Sequence, residues 1–269
     1  MIEISKKITT NVGRTNAQFG LIKENDRIMI GFSGGKDSLT LLHTLNRMQK
    51  KAPFKFDFKA VTITYEMGEQ IEFLSNHCKE HGIEHEIIDT QIFDLAGEKI
   101  RKNSSFCSFF SRMRRGYLYT TALEQGYNKV ALGHHLDDAM ESYFMNLFYN
   151  GTMRTMPPIY KASNGLEVIR PLIFCRERQL RAFADSNEIR VIGDEACPGL
   201  RFDVKMPHAR ATTKELLAKL EEQNPKIFVS MKAAFSNIQL PTFFYKDLKD
   251  IKLNIEDETI WEYWFRHAF

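Results

Sequence analysis

At 269 residues, the chain is long enough for one large α/β domain with an appendage rather than two equal domains. A hydrophobic share of 43% supports a sizeable core, and 26% charged residues is ordinary for a soluble protein. The net charge of +3 neither demands nor excludes a nucleic-acid partner. No apolar run approaches the roughly 20 residues that span a bilayer, so no membrane partner is expected. The first residues, with Glu3, Lys6 and Lys7, lack the apolar stretch of a signal peptide, which makes the cytoplasm the default compartment. The 4 cysteines, at positions 78, 107, 175 and 197, are widely spread. A chain this long folds without disulfides, so a cysteine with a special role is catalytic or metal-binding.

Residues 1 to about 25 carry Lys6, Lys7, Arg14 and Lys23 with few periodic apolar positions, and read as a helical or irregular lead-in with a basic surface. Ile28-Met29-Ile30 then reads as a buried strand, and Leu39, Leu41, Leu42, Leu45 and Met48 as the apolar face of a helix. Between them runs Gly31-Phe32-Ser33-Gly34-Gly35-Lys36-Asp37-Ser38. Glycines beside serine let backbone N–H groups close around phosphate oxygens at a helix N-terminus, which makes the loop an anion cradle. It is not a Walker A loop, because Ile30 and Asp37 stand where that pattern needs Gly and Ser or Thr. A carboxylate this close to phosphate repels it unless a cation intervenes, so Asp37 points to magnesium.

Phe56 to Ile63 reads as a second strand, Ile71, Leu74 and Cys78 as a helix ending at Gly82, and Ile87-Ile88 as a third strand. A helix opens near Cys107 and carries Arg112, Arg114 and Arg115, whose forks suit phosphate. Val130-Ala131-Leu132 is the next strand, ending at Gly133-His134-His135-Leu136-Asp137-Asp138 before a helix with Met140, Phe144 and Leu147. Adjacent side chains there rarely converge on one transition metal, and a carboxylate helping to place magnesium is the better reading. Met156-Pro157-Pro158 forces an extended connection, Val168 to Leu172 reads as a final strand, and a helix opens after Cys175-Arg176-Glu177. Val191-Ile192 leads into a loop, Gly193 to Gly199. Thr213 to Leu220 and Lys226 to Phe235 read as two helices outside the sheet, and the last residues are rich in aromatics, including Trp261 and Trp264. Packing of that end against the domain or a second subunit is the default, with base stacking the alternative.

Strand and helix alternate, so the expected fold is α/β, a parallel sheet with right-handed crossovers whose ligands bind beyond the strands' carboxyl ends. The expected domains are a lead-in over 1–25, a nucleotide-binding domain over 26–205 and a small, mostly helical and aromatic C-terminal extension over 206–269.

Ser33-Gly34-Gly35-Lys36-Asp37-Ser38 resembles the SGGxDS loop of the PP-loop ATP pyrophosphatases, whose fold is of the adenine nucleotide alpha hydrolase type. Cys107-Ser108, Ser111-Arg112, Arg114-Arg115-Gly116, Ala131 to His135 with Asp137-Asp138, Met156-Pro157-Pro158 and Ile169-Arg170-Pro171-Leu172 with Cys175-Arg176-Glu177 stand in order. Together they resemble the tRNA-cytidine 2-sulfurtransferases, which make 2-thiocytidine in the anticodon loop. The resemblance runs from about residue 10 to about 235. It implies that ATP with magnesium adenylates O2 of a cytosine, that pyrophosphate leaves, and that a sulfur nucleophile then displaces AMP. Ser33, Gly34, Gly35, Asp37 and Ser38 would hold pyrophosphate with Lys36 nearby, Asp37 would help place magnesium, backbone near Ile63 would meet adenine, and Gly133, His134 and Asp138 would border the nucleotide. Arg114 would stabilise charge developing on the phosphate. The implied partners are tRNA and a sulfur-donor protein, with a homodimer open.

The departure concerns sulfur. Members of the branch that bind an iron–sulfur cluster use a C-x-x-C pair plus a third cysteine. Cys107 and Cys197 match the first and third positions, but Phe110 stands at the second. A phenyl ring cannot ligate iron. Three readings follow: a substitute ligand such as Asp194, Asp203 or His208; a thiol pair, Cys107 and Cys197, carrying and resolving a persulfide; or ATP chemistry with the sulfur step changed or lost.

Overall fold

A computed structural model describes residues 2–65, 71–92, 106–193 and 208–239, with backbone alone at 106–108 and 208. Asp194, Cys197, Asp203, the aromatic end of the chain and the side chains of Cys107 and His208 lie outside the described residues. The chain divides into Met1–Pro225 and Lys226–Phe269. In chain order the first unit holds α1 (Lys6–Phe19), β1 (Arg27–Gly31), α2 (Lys36–Lys51), β2 (Asp57–Ile63), α3 (Glu72–Glu80), β3 (His85–Ile88), α4 (Phe106–Glu124), β4 (Lys129–Ala131), α5 (Leu136–Tyr149), β5 (Ile159–Lys161), β6 (Glu167–Ile169), α6 (Glu177–Ser186) and α7 (His208–Gln223). Within the described part of the second unit is α8 (Ile227–Ala234), with Phe228 buried.

A 6-stranded sheet runs in the order β3-β2-β1-β4-β6-β5. The pairs β3–β2, β2–β1, β1–β4 and β4–β6 are parallel, while β5 pairs antiparallel with β6. Side chains alternate across each strand, and both faces are apolar because helices cover both. Ile28, Ile30, Ala131 and Ile169 join one core layer with Leu39, Leu41, Leu42 and Leu45 of α2. Met29, Val130 and Val168 point the other way and join Leu118 and Ala122 of α4. A parallel sheet wrapped by helices on both faces is the α/β architecture expected from the alternation of elements.

Three features differ from the sequence reading. The extended connection after Met156-Pro157-Pro158 becomes β5, an edge strand held by pairing Ile159↔Ile169 and Lys161↔Glu167. A strand of 3 residues has no period to recognise, so only its partner defines it. The lead-in is a true core helix: Ser5 caps α1 by accepting from the Ile8 backbone N–H at 3.4 Å, and Ile4, Ile8 and Val12 are buried in the α2 layer. Its apolar stripe is completed by Thr15, which is buried and donates to the Asn11 carbonyl at 2.8 Å, so an apolar count alone underrates it. Finally, α7 begins at His208 rather than near Thr213. No helix of the described residues is long and apolar enough to cross a membrane.

At the start of β4, Lys129 is 1% exposed, and its ammonium donates to the Leu21 carbonyl at 2.8 Å while facing Asp26 at 2.9 Å and Glu167 at 3.1 Å. Asp26 also accepts from the Lys23 backbone and from Asn128, so the cation ties together the segments that enter β1, β4 and β6. Removing one partner of a buried pair strands the other charge. Lys129→Ala is therefore expected to cost about 3–5 kcal/mol, read as a lower urea midpoint with an unchanged slope.

Candidate active site

The Ser33 to Ser38 loop forms because β1 must hand over to α2 in a few residues. Phe32 remains tied to the neighbouring strand, its N–H donating to the Val61 carbonyl at 2.8 Å and its carbonyl accepting from Thr62 Oγ1 at 2.6 Å. The chain then turns at Gly34, whose φ of 77° lies in the left-handed region that favours glycine. A Cβ there would also lie 2.6 Å from Cδ1 of Ile192. Ile192 pins the loop by donating its N–H to the Gly34 carbonyl at 2.8 Å. Gly35 begins α2 without a side-chain cap, and Ser38 donates to the Gly35 carbonyl at 3.0 Å. The first turn of α2 therefore presents backbone N–H groups to an anion.

The loop after β4 meets it. Gly133 lies so close that a Cβ at that position would be 3.1 Å from the Asp37 carbonyl carbon and the Ser38 nitrogen. His135 caps α5 reciprocally: its Nδ1 accepts from the Asp138 N–H at 3.4 Å, and Asp138 Oδ2 accepts from the His135 N–H at 3.1 Å. Between the two loops, β2 and α4 lies a cavity of about 410 Å³. Its wall brings together Ser33, Asp37, Ser38, Ile63, Arg114, Gly133, His134 and Asp138, all singled out in the sequence. Gly34, Gly35 and Lys36 belong to the loop but not to this wall. Lys36 turns instead to Glu177 at 3.2 Å and Asp37 at 3.4 Å.

The acidic end of the cavity is a place for a cation. Burial raises the proton affinity of Asp37 above the usual carboxylate range and Asp138 adds to this, while His135 and Lys36 pull against it. Asp37 Oδ1 is buried with no hydrogen-bond partner. A carboxylate oxygen without a hydrogen-bond donor, with only the Lys36 ammonium at 3.4 Å and His135 at 3.8 Å beside it, fits a hard divalent cation such as magnesium by donor chemistry. Asp137 does not share that role. Its carboxylate accepts from Arg176 at 3.1 and 3.2 Å and from the Glu177 N–H at 2.8 Å, so it anchors the start of α6.

At the opposite end the wall is basic and aromatic. Arg114 donates to the Tyr65 hydroxyl at 3.0 Å and its guanidinium lies 5.1 Å from that ring's centre. Arg115 also lines the cavity, whereas Arg112 is exposed on the helix surface. Phe110 is 2% exposed, with its ring edge-on to Tyr65 and Phe109. It thus sits in the cavity wall packed among aromatic rings, and its own side chain offers no ligand. Cys78 and Cys175 are both buried in the α2 core layer, so neither serves as a replacement in that wall. Burial holds the thiol of Cys78 protonated, its pKa pushed up to about 12.

Two sets of residues were missed from the sequence. Arg170, buried under the site, donates to His134 Nδ1 at 3.4 Å and to the Pro157 carbonyl at 2.7 Å. Burial foremost, with Arg170 and Arg115 as neighbouring cations, holds the His134 imidazole neutral despite Asp138. The Arg170-Pro171 pair carried the strand reading but not this contact, which depends on β6 lying beside β4. The second set comes from α7. Arg210 donates to Asp138 Oδ1 and Glu141 Oε2, both at 2.8 Å, Lys214 donates to Glu177 at 2.9 Å, and Glu221 receives Arg176 through two bonds of 2.7 Å. Their i, i+4 and i+11 spacing puts all three on one face of a helix, the one signal that could have flagged them.

Fold and site define a nucleotide-binding α/β protein of the PP-loop class, and a PP-loop domain profile matches residues 4–205. Among curated relatives, the tRNA-cytidine(32) 2-sulfurtransferase of Geobacter metallireducens is 43% identical over 237 residues, covering 87% of this chain and 90% of that protein. That of Pseudomonas syringae pv. syringae is 37% identical, covering 96% of this chain and 93% of that protein. The chain belongs to the tRNA-cytidine(32) 2-sulfurtransferase family of PP-loop proteins. Among solved structures, the U34-tRNA thiolase NcsA from Methanococcus maripaludis, described with its [4Fe-4S] cluster, shares the fold with a TM-score of 0.68 at 23% identity, covering 86% of this chain and 77% of that one.

Two expectations test the site. Gly133→Ala forces backbone of α2 aside, and overpacking of this kind should lower affinity for ATP with magnesium about tenfold, or about 1.4 kcal/mol, by equilibrium binding. The second concerns Glu177. Burial favours its protonated form, but Lys214 and Lys36 outweigh this and hold its pKa down to about 2. A depressed carboxylate stabilises fully above its unfolded value of about 4.3 and loses that contribution as pH falls toward the folded value. Urea midpoints of Glu177→Gln should therefore fall less steeply with acid than those of the parent from about pH 5 to about pH 2.5.

Proposed function

We propose that this chain activates a cytidine of tRNA with ATP and exchanges its 2-oxygen for sulfur. One observation carries the reading: in a chain of this family, Ser33 and Ser38 of the phosphate cradle, Asp37 with its oxygen free of hydrogen bonds, the Ile63 edge and Arg114 wall a single cavity. Backbone N–H groups from Ser33 to Ser38 hold the departing pyrophosphate, and Ile63 meets the adenine. Asp37 would hold magnesium, which when bound would supply neutralisation of the phosphate charge. Arg114 and Arg115 stand where negative charge grows on the α-phosphate as O2 of the base attacks it. His134, kept neutral, borders the nucleotide with Gly133 and Asp138. The exposed basic surface of α4 at Arg112 and Arg115 receives the tRNA backbone.

For sulfur delivery, Phe110 does not fit a third thiolate, so no step is assigned to an iron–sulfur cluster. Cys107 and Cys197 act as the thiol pair. One carries a persulfide charged by a sulfur-donor protein. Its terminal sulfur bonds to C2, AMP leaves with the former O2, and the other thiolate breaks the S–S bond. The products are a thiocarbonyl and a Cys107–Cys197 disulfide, which a dithiol reductant reopens. The chain works in the cytoplasm, where such reductants are present.

Adding unmodified tRNA should raise release of AMP and pyrophosphate from ATP, and Asp37→Ala should remove it by at least about 100-fold. ADP as the only nucleotide product would overturn the reading. Iron and labile sulfide analysis of anaerobically purified protein addresses the sulfur step. The expected result is thiolation without stoichiometric iron, lost in Cys107→Ser and Cys197→Ser while pyrophosphate release from ATP persists. A stoichiometric cluster lost in both variants would replace the thiol pair.

A further inference from the structure

Away from the nucleotide cavity, three imidazoles converge between α2 and α3. His77 and His81 are spaced i, i+4 and so share a face at the end of α3, and His43 reaches them from the buried side of α2. His43 is 4% exposed, and its Nε2 lies 2.8 Å from Nε2 of His77. The three ring centres are 5.0, 4.8 and 4.7 Å apart, each pair edge-on, and one nitrogen from each ring lies within 4.8 Å of the others. None of the three lines the nucleotide cavity. His43 stands seven residues beyond Lys36, about 10 Å along α2.

We propose that His43, His77 and His81 bind one divalent transition-metal ion of the zinc class, which clips α3 to α2. The donor set selects the metal. Three neutral nitrogens and no carboxylate suit zinc, copper, nickel or cobalt and not magnesium or calcium. Zinc takes imidazole nitrogen at about 2.0–2.1 Å, which places tetrahedral donors about 3.4 Å apart. The present separations bracket that value, so small side-chain rotations close the site. His77 and His81 are half-exposed, which gives an ion an entry path and leaves a fourth position for water. Burial, then His77, His81 and Lys50, push the His43 pKa down to about 3, so the ring is in its ligating form at neutral pH. The other groups facing the cluster are Glu80, the ring of Phe183 and Asn46, which donates to the His81 carbonyl at 3.5 Å.

The test is titration of the metal-free full chain with Co²⁺, followed by displacement with Zn²⁺. One equivalent should give visible bands of a tetrahedral nitrogen site with no thiolate charge-transfer band, and Zn²⁺ should raise the melting temperature. His77→Ala and His81→Ala, both at half-exposed positions, should each melt at the same temperature with and without Zn²⁺ and lose the bands. The Cys107→Ser, Cys197→Ser double variant should keep them. Absence of a one-equivalent site, its survival in both histidine variants, or its loss in the cysteine variant would each overturn the proposal.

Discussion

The structure depends on one adjacency: β1 and β4 lie side by side and parallel, with Met29 opposite Val130 and Ile30 opposite Ala131. Because the next strand after β1 lies on its other side, the loops following β1 and β4 leave the sheet at a point where its order reverses. They therefore face each other across a crevice. Only backbone separates them where Gly133 abuts Asp37 and Ser38, and this contact sets the distance between the phosphate cradle and the His134 to Asp138 turn. The acidic groups, the cradle and the cavity between them and α4 are consequences of that one register.

Charge is then arranged in two tiers. Near the loop, Asp37 keeps an oxygen without a hydrogen-bond donor, a costly state unless a cation arrives with the nucleotide. Behind it, Asp137, Asp138, Glu141 and Glu177 are each matched by Arg176, Arg210, Lys214 or Lys36. The pairing comes largely from α7, so a helix beyond the residues matched by the PP-loop profile completes the outer shell of the site. Asp138 is held on both oxygens, by the His135 N–H and by Arg210, which fixes its orientation at the cavity wall.

The aromatic side of the cavity has the opposite character. Phe110, Phe109 and Tyr65 form an edge-on aromatic cluster behind Arg114. An apolar wall beneath a guanidinium lowers the local dielectric and strengthens its field on an anion. Phe110 thus also reinforces the basic part of the cavity wall around Arg114.

Much of this was legible from the chain. Buried strands such as Ile28-Met29-Ile30 and helices with a stripe such as Leu39 to Met48 show their type through short-range periodicity, and Gly34, Asp37 and Gly133 show their chemistry through residue type. The Asp37 loop, His134 and Arg114 could be named before any geometry, because phosphate chemistry and family resemblance restrict those positions strongly. What stayed hidden is pairwise and distant. The three residues of β5 have no pattern without β6, and Thr15 conceals the core stripe of α1. Arg210, Arg170, Ile192 and the meeting of His43 with His77 and His81 join residues that nothing local connects. The sequence by itself determined the α/β class, the anion-binding loop and the missing thiolate at Phe110. Only the tertiary structure decided which carboxylate keeps an oxygen without a hydrogen-bond donor and which is fully bonded, because that depends on which helix ends the folded sheet brings within hydrogen-bonding distance.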